Sequence, residues 1–418
     1  MATVRVLAIG SVYPPHHLGG YEVIWRGAMR HLRTEGHTAR ILATDYRRAD
    51  IGPDQGEDPG VHRELQWYWR DHQWRSLTLR QRFLLERHNA SVFDRHVRAF
   101  RPDVISWWPI GGMSLGLIER AVAAGLPSVF FVLDPWPFYG PRVDQWLRTW
   151  ARARPLAAVA ERITGLPAAV QLADAGRFVF CSRAIRDEML TAGIAVRDGT
   201  ILTPGVERAF LDHPREPQPP PWRWRLLYLG RVVEQKGIET AVRSLPLLPR
   251  EAQLRVVGEG DRPYRDQLGL LASRLGVADR VTFEGSRPRD RLAELYRHAD
   301  AVVFPVEWSE PWGLVPLEAM ALGRPVVATG RGGSGEYLAD GRNSLMFEAG
   351  DAAGLASALR ALADDSNLRA RLIDGGYGTA AEHTEDVFNR RALEEMLSAS
   401  TAPPRLRSST LGRHRHPS

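Results

Sequence analysis

At 418 residues, with 44% hydrophobic and 9% aromatic residues, the chain is long enough for two or three domains with filled cores, and its composition excludes a disordered or fibrous protein. The net charge of +6 is spread thinly over that length and argues against nucleic-acid binding. A single cysteine, Cys181, excludes an internal disulfide, and no apolar run approaches the roughly 20 residues that span a bilayer. With no charged leader before the first strand, a cytoplasmic protein is expected.

Val4 to Ile9 reads as a buried first strand. The loop GSVYPPHHLGG, residues 10–20, then leads into a helix from Tyr21 to Thr34. This loop is too long for a dinucleotide-binding start and lacks G-x-G-x-x-G, which disfavours a dehydrogenase. Gly19 and Gly20 still allow backbone to approach a ligand closely, or form a plain tight turn. Ala39 to Ala43 is a second strand, followed by a polar loop over Ala49 to Gly60. The segment from His62 to Arg101 mixes Trp67, Trp69 and Trp74 with nine arginines. Such a mixture suits a membrane surface, an acceptor grip, or simply a partly buried strand with a solvated helix.

Asp103 to Ser106 and Ser128 to Leu133 are further strands, with a helix around Ser114 to Ala124. Asp134 stands at the carboxyl end of the second of these strands, where ligand-contacting side chains gather, and equally suits a turn before Pro135. Val143 to Asp174 reads as helical and carries Trp146 and Trp150. Phe178 to Cys181 is a strand ending the apolar run RFVFC, so Cys181 reads as a buried structural thiol. Residues 213–221, HPREPQPPP, hold five prolines in nine and belong to neither sheet nor helix. They divide an N-terminal unit, residues 1–212, from a second unit over 225–383, with a linker over 213–224, a final helix over 384–400 and a disordered tail over 401–418.

The second unit alternates strand and helix again, from Arg225 through Pro325 to Ala328. Two such alternating units give parallel sheets covered by helices, an α/β architecture. Between Ala299 and Gly323 lie a buried strand at Val302 to Phe304, a loop from Pro305 to Pro311, and a helix opened at Gly313. Glu310 in the loop and Glu318 in the helix flank this turn. Free backbone N–H groups at the helix start, with two carboxylates nearby, suit a polyol or an anion. The chain contains one lysine, Lys236, against 54 arginines. A compact ammonium with rotatable donors suits a phosphate in a tight space.

The motifs LGRVVEQKGIETAV, VVGEGDRP, ADAVVFPVEWSEPWGLVPLEAMALGRPVVAT, GGSGEYLADGRNSLMF and ILTPGVE resemble the retaining GT-B glycosyltransferases of family 4. The resemblance is dense from Thr200 to Phe347 and thinner before it. It implies two Rossmann-like domains facing across a cleft, a last helix crossing back to the first domain, and transfer of a sugar from a UDP- or GDP-sugar with retention. It further implies Glu310 on donor-sugar hydroxyls, Glu318 on the ribose, Arg231 and Lys236 on the diphosphate, and Gly19 and Gly20 on the phosphate and sugar from the other side. Gly230, Glu259, Gly313, Leu314 and Val315 complete the expected donor-binding set.

No D-x-D pair occurs in the sequence, so fixed cations and helix dipoles rather than a metal are expected to stabilise the leaving diphosphate. In one place the chain departs from the family: where a histidine commonly precedes the acidic residue, Leu133 precedes Asp134. Asp134, His16 or His17 are the candidates for the vacant role. An isomerase or phosphorylase on the same plan, or a non-catalytic sugar-nucleotide binder, remain alternatives. The acceptor is open among a small metabolite, a glycan and a lipid-linked sugar, with peripheral membrane contact as a further expectation.

Overall fold

The computed structural model describes residues 3–48, 51–52, 56–70, 73–194, 199–215 and 221–401. The middle of the expected linker, 216–220, and the expected tail from 402 onward lie outside the described residues, as do parts of the 49–60 loop.

The first sheet holds β1 (Arg5–Ile9), β2 (Thr38–Thr44) and β3 (Val61–Leu65). A short hairpin, β4 (Trp69–Arg70) with β5 (Gln73–Trp74), stands apart from it, and β6 (Val104–Trp107), β7 (Ser128–Val132), β8 (Arg177–Phe180) and β9 (Gly199–Ile201) complete it. Its order is β3-β2-β1-β6-β7-β8-β9, parallel throughout. Parallel strands covered on both faces carry unbroken apolar runs, and β6 and β7 are buried along their whole length. Stacked rings run across both faces of the sheet. Trp107 stacks on Phe130 and Phe130 on Phe178 on one side, while Trp108 stacks on Phe131 and Trp25 on the other. Each such pair contributes about 0.5–1.5 kcal/mol beyond area burial.

The second sheet holds β10 (Arg225–Leu229), β11 (Gln253–Val257), β12 (Val281–Phe283), β13 (Ala301–Phe304), β14 (Val326–Ala328) and β15 (Leu345–Met346), again all parallel, in the order β12-β11-β10-β13-β14-β15. The fold is therefore α/β with two Rossmann-like sheets. The last helix, Glu385–Ser400, packs on the helix Gly20–Thr34 and on β6 and β7 of the first sheet. It enters there through a backbone exchange in which Val206 N–H donates to His383 O and Glu385 N–H to Val206 O.

One expectation needs correction, and one open reading narrows. The region from Val143 to Asp174 is not one helix: Trp136–Val143, Gln145–Ala151 and Arg154–Thr164 are separate, because Asp144 caps the second and Pro155 sits in the first turn of the third. The tryptophans of the first half are mostly packing residues. Trp67 and Trp146 are buried, and only Trp74 lies largely in solvent.

Candidate functional site

In both sheets the chain reverses direction across the sheet once, between β1 and β6 in the first and between β10 and β13 in the second. The carboxyl ends at such a reversal open a crevice, because the loops leaving the two strands diverge to opposite sides. The Gly10–Gly20 loop leaves β1. Gly230 to Gly237 leaves β10, and Pro305 to Gly313 leaves β13. The two crevices close on each other. A methyl group added to Gly20 would lie 3.4 Å from Leu314 Cδ1, the Cys181 thiol reaches Pro311 O at 3.5 Å, and the Ala184 N–H donates to Glu336 at 2.9 Å.

Glu310 is 4% exposed, and its Oε2 accepts from Lys236 Nζ at 2.5 Å and from the Trp308 indole N–H at 2.9 Å. Its Oε1 has no donor among the described residues. The glycine-rich loop fixes its backbone: Gly333 N–H donates to Glu310 O at 2.6 Å, and Gly332, with φ of 66°, passes so close that a methyl there would lie 2.4 Å from the same oxygen. Lys236 is aimed by a similar device. Gly237 turns the chain at φ 65° directly against the Pro305 carbonyl, 1.9 Å from where a side chain would start. Burial pulls the Lys236 ammonium below its ordinary range, and the Glu310 charge pulls it back up.

The helix Leu314–Ala321 begins at Gly313, φ 86°, with no side-chain cap. The first N–H groups of a helix lack internal acceptors, so Leu314 and Val315 present donors here, beside Gly20. Pro316 removes the next one. The Gly313 carbonyl is tied back by the Tyr337 hydroxyl at 2.5 Å.

Asp134 is half-buried at the end of β7. One oxygen accepts from the Tyr139 hydroxyl at 2.7 Å, and the other, Oδ1, has no partner among the described residues. Burial pushes its carboxyl up to about 6, although Tyr139, the Trp136 N–H and Arg231 pull it down. Arg231 comes from the second domain, is exposed, and its guanidinium forms no hydrogen bond among the described residues. Its charge acts on Asp134, Glu22, Tyr21 and Tyr139, which places it across the cleft from β7 and the start of the helix Gly20–Thr34. Leu133 is 1% exposed and points into the core, so it offers nothing to the cleft.

The expected residues do not all converge. Glu318 faces Arg289 at 2.5 Å and the Tyr296 hydroxyl at 2.6 Å, and Arg289 also pairs with Glu207 of the first domain. Glu259 is exposed and accepts from Ser286 at 3.1 Å, which in turn accepts from Arg48 of the first domain at 3.3 Å. Gly230, φ 146°, lies beside the Tyr228 ring, whose hydroxyl holds the Arg231 carbonyl at 2.7 Å. Of the two histidines weighed for the role vacated at Leu133, His16 is fully buried and accepts from the Arg48 N–H at 3.1 Å. His17 bonds Pro15 O at 2.8 Å, and burial pushes its imidazole toward the neutral form. Cys181 is a buried thiol raised by that burial, a structural residue rather than a nucleophile.

Sequence reasoning missed Trp308, Tyr139, Tyr21, Glu22 and Arg289. Glu22 was within reach as the third residue of a helix entered through Gly19, whose N–H it accepts at 3.1 Å. Tyr139, Trp308 and Arg289 carry no local signal, since only the tertiary fold brings them to Asp134, Glu310 and Glu318.

The description "Glycosyltransferase Family 4" matches residues 18–210 and "Glycosyl transferases group 1" matches residues 212–379, together more than four fifths of the chain. The lipopolysaccharide core biosynthesis glycosyltransferase LpsE of Rhizobium meliloti is 35% identical over 197 residues, 47% of this chain and 53% of that protein. A D-inositol 3-phosphate glycosyltransferase of Xylanimonas cellulosilytica is 38% identical over 173 residues, 39% of this chain and 41% of that protein. The chain thus spans about half the length of the curated relatives it matches, or less. In fold it is similar to HepE of Anabaena in complex with UDP and glucose, with a TM-score of 0.70 at 19% identity over 94% of this chain and 100% of that one. It is likewise similar to sucrose-phosphate synthase of Thermosynechococcus elongatus, with a TM-score of 0.72 at 19% identity over 95% and 100% of the two chains. With both halves matched in order and both sheets meeting across one cleft, the chain belongs to the family 4 glycosyltransferases of GT-B fold.

Proposed function

We propose that the protein transfers a sugar from a nucleoside diphosphate sugar to a hydroxyl-bearing acceptor, with retention at the anomeric carbon and without a metal ion at the donor. The observation that carries this reading is the convergence of Lys236, Glu310 and the uncapped start of the helix Leu314–Ala321 at one reversal point, facing Gly19 and Gly20 of the other domain. As the bond from the anomeric carbon to the diphosphate oxygen breaks, negative charge collects on the diphosphate. Lys236, Arg231 and the helix N–H groups supply fixed positive charge for it, at about 1.5–3 kcal/mol per charge-assisted hydrogen bond. The new bond forms between that carbon and the acceptor oxygen, whose proton must leave. Asp134, with a buried, unpartnered oxygen, is the base the cleft offers. Glu310 then reads donor-sugar hydroxyls through its free oxygen, and Glu318 serves the ribose by exchanging its bond to Arg289. The UDP and UDP-glucose complexes of HepE favour a uridine nucleotide as donor.

The acceptor reading favoured by an observation is a lipid-linked one. The helix Arg154–Thr164 shows Leu156, Val159 and Ile163 to solvent at 59%, 53% and 78%, a single stripe at spacings of three and four. Exposed Arg148, Arg152 and Arg162 accompany it, a combination suited to an anionic membrane surface. Among the described residues no helix is long and apolar enough to cross a membrane.

The test is donor hydrolysis across UDP- and GDP-sugars in the presence of EDTA, followed by acceptor screening by mass spectrometry and the anomeric configuration of the product by NMR. A donor that binds with no release of nucleoside diphosphate would turn the reading toward a non-catalytic binder. Product formed without a separate acceptor would turn it toward an isomerase or phosphorylase. For the membrane surface, Ile163→Glu should abolish co-sedimentation with anionic vesicles; unchanged sedimentation overturns that part.

A further inference from the structure

The first sheet ends in β3, separated from the reversal point by β2 and β1. Side chains two apart on a strand share a face, so His62 and Glu64 point the same way and Arg63 the other, where it pairs with Glu57. The helix Leu79–Phe100 packs on β3 and brings His96, buried in its last two turns, onto the same spot. His62 Nδ1 lies 3.4 Å and His96 Nε2 3.3 Å from one oxygen, Glu64 Oε1. All three candidate ligand atoms fall within 4.8 Å of one another. The two rings meet edge to face, with centroids 4.6 Å apart.

From this arrangement the geometry points to a binding site for a transition-metal ion, of the Zn²⁺ class, formed by His62, Glu64 and His96. Bonds of about 2.0–2.2 Å in a tetrahedron give donor separations of roughly 3.3–3.5 Å. Two of the three separations already have that value. The donor set selects the ion: imidazoles with one carboxylate suit Zn²⁺, Ni²⁺ or Cu²⁺, whereas Ca²⁺ and Mg²⁺ seek oxygen alone. The surroundings hold the ligands in place. Arg95 pairs with the other oxygen of Glu64, which leaves Oε1 for the ion, and His88 is bonded to the Glu64 carbonyl at 2.8 Å, tying strand to helix one face away. His96 Nδ1 is buried and has no partner among the described residues, so neither ring nitrogen of this histidine is committed to a structural role elsewhere. His62 and Glu64 keep about a third of their side chains in solvent, which leaves a coordination position for water. The ordinary alternative is a surface ion pair of Arg95 with Glu64 and two histidines beside it.

The experiment uses the full chain, stripped with EDTA and returned to chelator-free buffer, and titrates ZnCl2 by calorimetry with metal content read after gel filtration. A single equivalent of Zn²⁺ retained by the protein is expected, with visible d–d bands of tetrahedral geometry when Co²⁺ replaces it. His62→Ala, at a partly exposed position, should weaken binding at least tenfold while the circular dichroism spectrum stays that of the parent. His414→Ala with His416→Ala should leave binding unchanged. Absence of saturable uptake, or uptake lost with His414 and His416 and kept in His62→Ala, overturns the site.

Discussion

Lys236 and Glu310 meet at 2.5 Å from Nζ to Oε2, on the two loops that leave β10 and β13, with both side chains almost covered by protein. Two charges removed from water are costly unless paired. The only lysine of the chain thus lies against the loop that carries Glu310. Lys236→Ala is expected to lower kcat by about 100-fold or more with the far-UV spectrum intact, the scale of losing one fixed charge on a developing anion. Near-normal turnover would remove the lysine from the diphosphate. Lys236→Arg, which replaces a compact point charge by a planar fork, should restore only part of the turnover.

Asp134 gives the pH dependence its sign. In the folded protein its carboxyl titrates near 6, above the ordinary aspartate range. As a base it must be ionised, so kcat/KM should fall as pH drops below about 6, a limb that Asp134→Asn removes along with most of the activity. For stability the sign is opposite. A raised carboxyl favours the folded state most when protonated, so its contribution is complete below about pH 4 and is lost as pH rises to about 6. Urea unfolding of the parent and Asp134→Asn over that range measures the difference. A difference that does not change with pH would show that the Asp134 carboxyl is not desolvated in the folded protein.

Tyr139 supplies a second check on the same group. Its hydroxyl donates to Asp134 at 2.7 Å and favours the ionised form. Tyr139→Phe should therefore move the acid limb of kcat/KM to higher pH, while a Tyr139 serving only as packing would leave the limb in place. The shift is read from the pH profile and not from the absolute rate.

Gly237 tests the loop that aims the lysine. At φ 65°, and with the Pro305 carbonyl 1.9 Å from the position of a side chain, alanine meets both a strained backbone and a clash. Gly237→Ala should lose about 1–3 kcal/mol in urea unfolding and lower kcat as well, since Lys236 is displaced. Gly269, where an added methyl group meets nothing within 4 Å, is the control.

The parallel sheets were readable because β6, β7 and β13 are short, almost wholly apolar stretches bounded by turn residues and buried at every position, the pattern that burial on both faces imposes. Lys236 and Glu310 were readable for different reasons, one by its rarity and one by its place in a strand-loop-helix turn. What stayed hidden depends on contacts between distant segments. Arg289 is one of 54 arginines, and nothing near it announces that it bridges Glu207 and Glu318. The present partners of Glu318 were hidden for that reason: its carboxylate is held by Arg289 and Tyr296. The tryptophans were ambiguous for the same reason, because the same residue type serves a stacked core at Trp107 and a half-exposed hairpin strand at Trp74.

The helix Glu385–Ser400 lies against the sheet built by the first half of the chain. During synthesis, β6, β7 and the helix Gly20–Thr34 leave the ribosome long before their covering partner exists, so the nascent first domain carries a bare apolar groove until the second domain has been made. Gly205 marks where the late segment must thread home, since any side chain there would meet the backbone of Thr384 at 2.1 Å. The half of the molecule that is translated first is thus the half that matures last, and expressed by itself it should call on chaperones that the whole chain does not need.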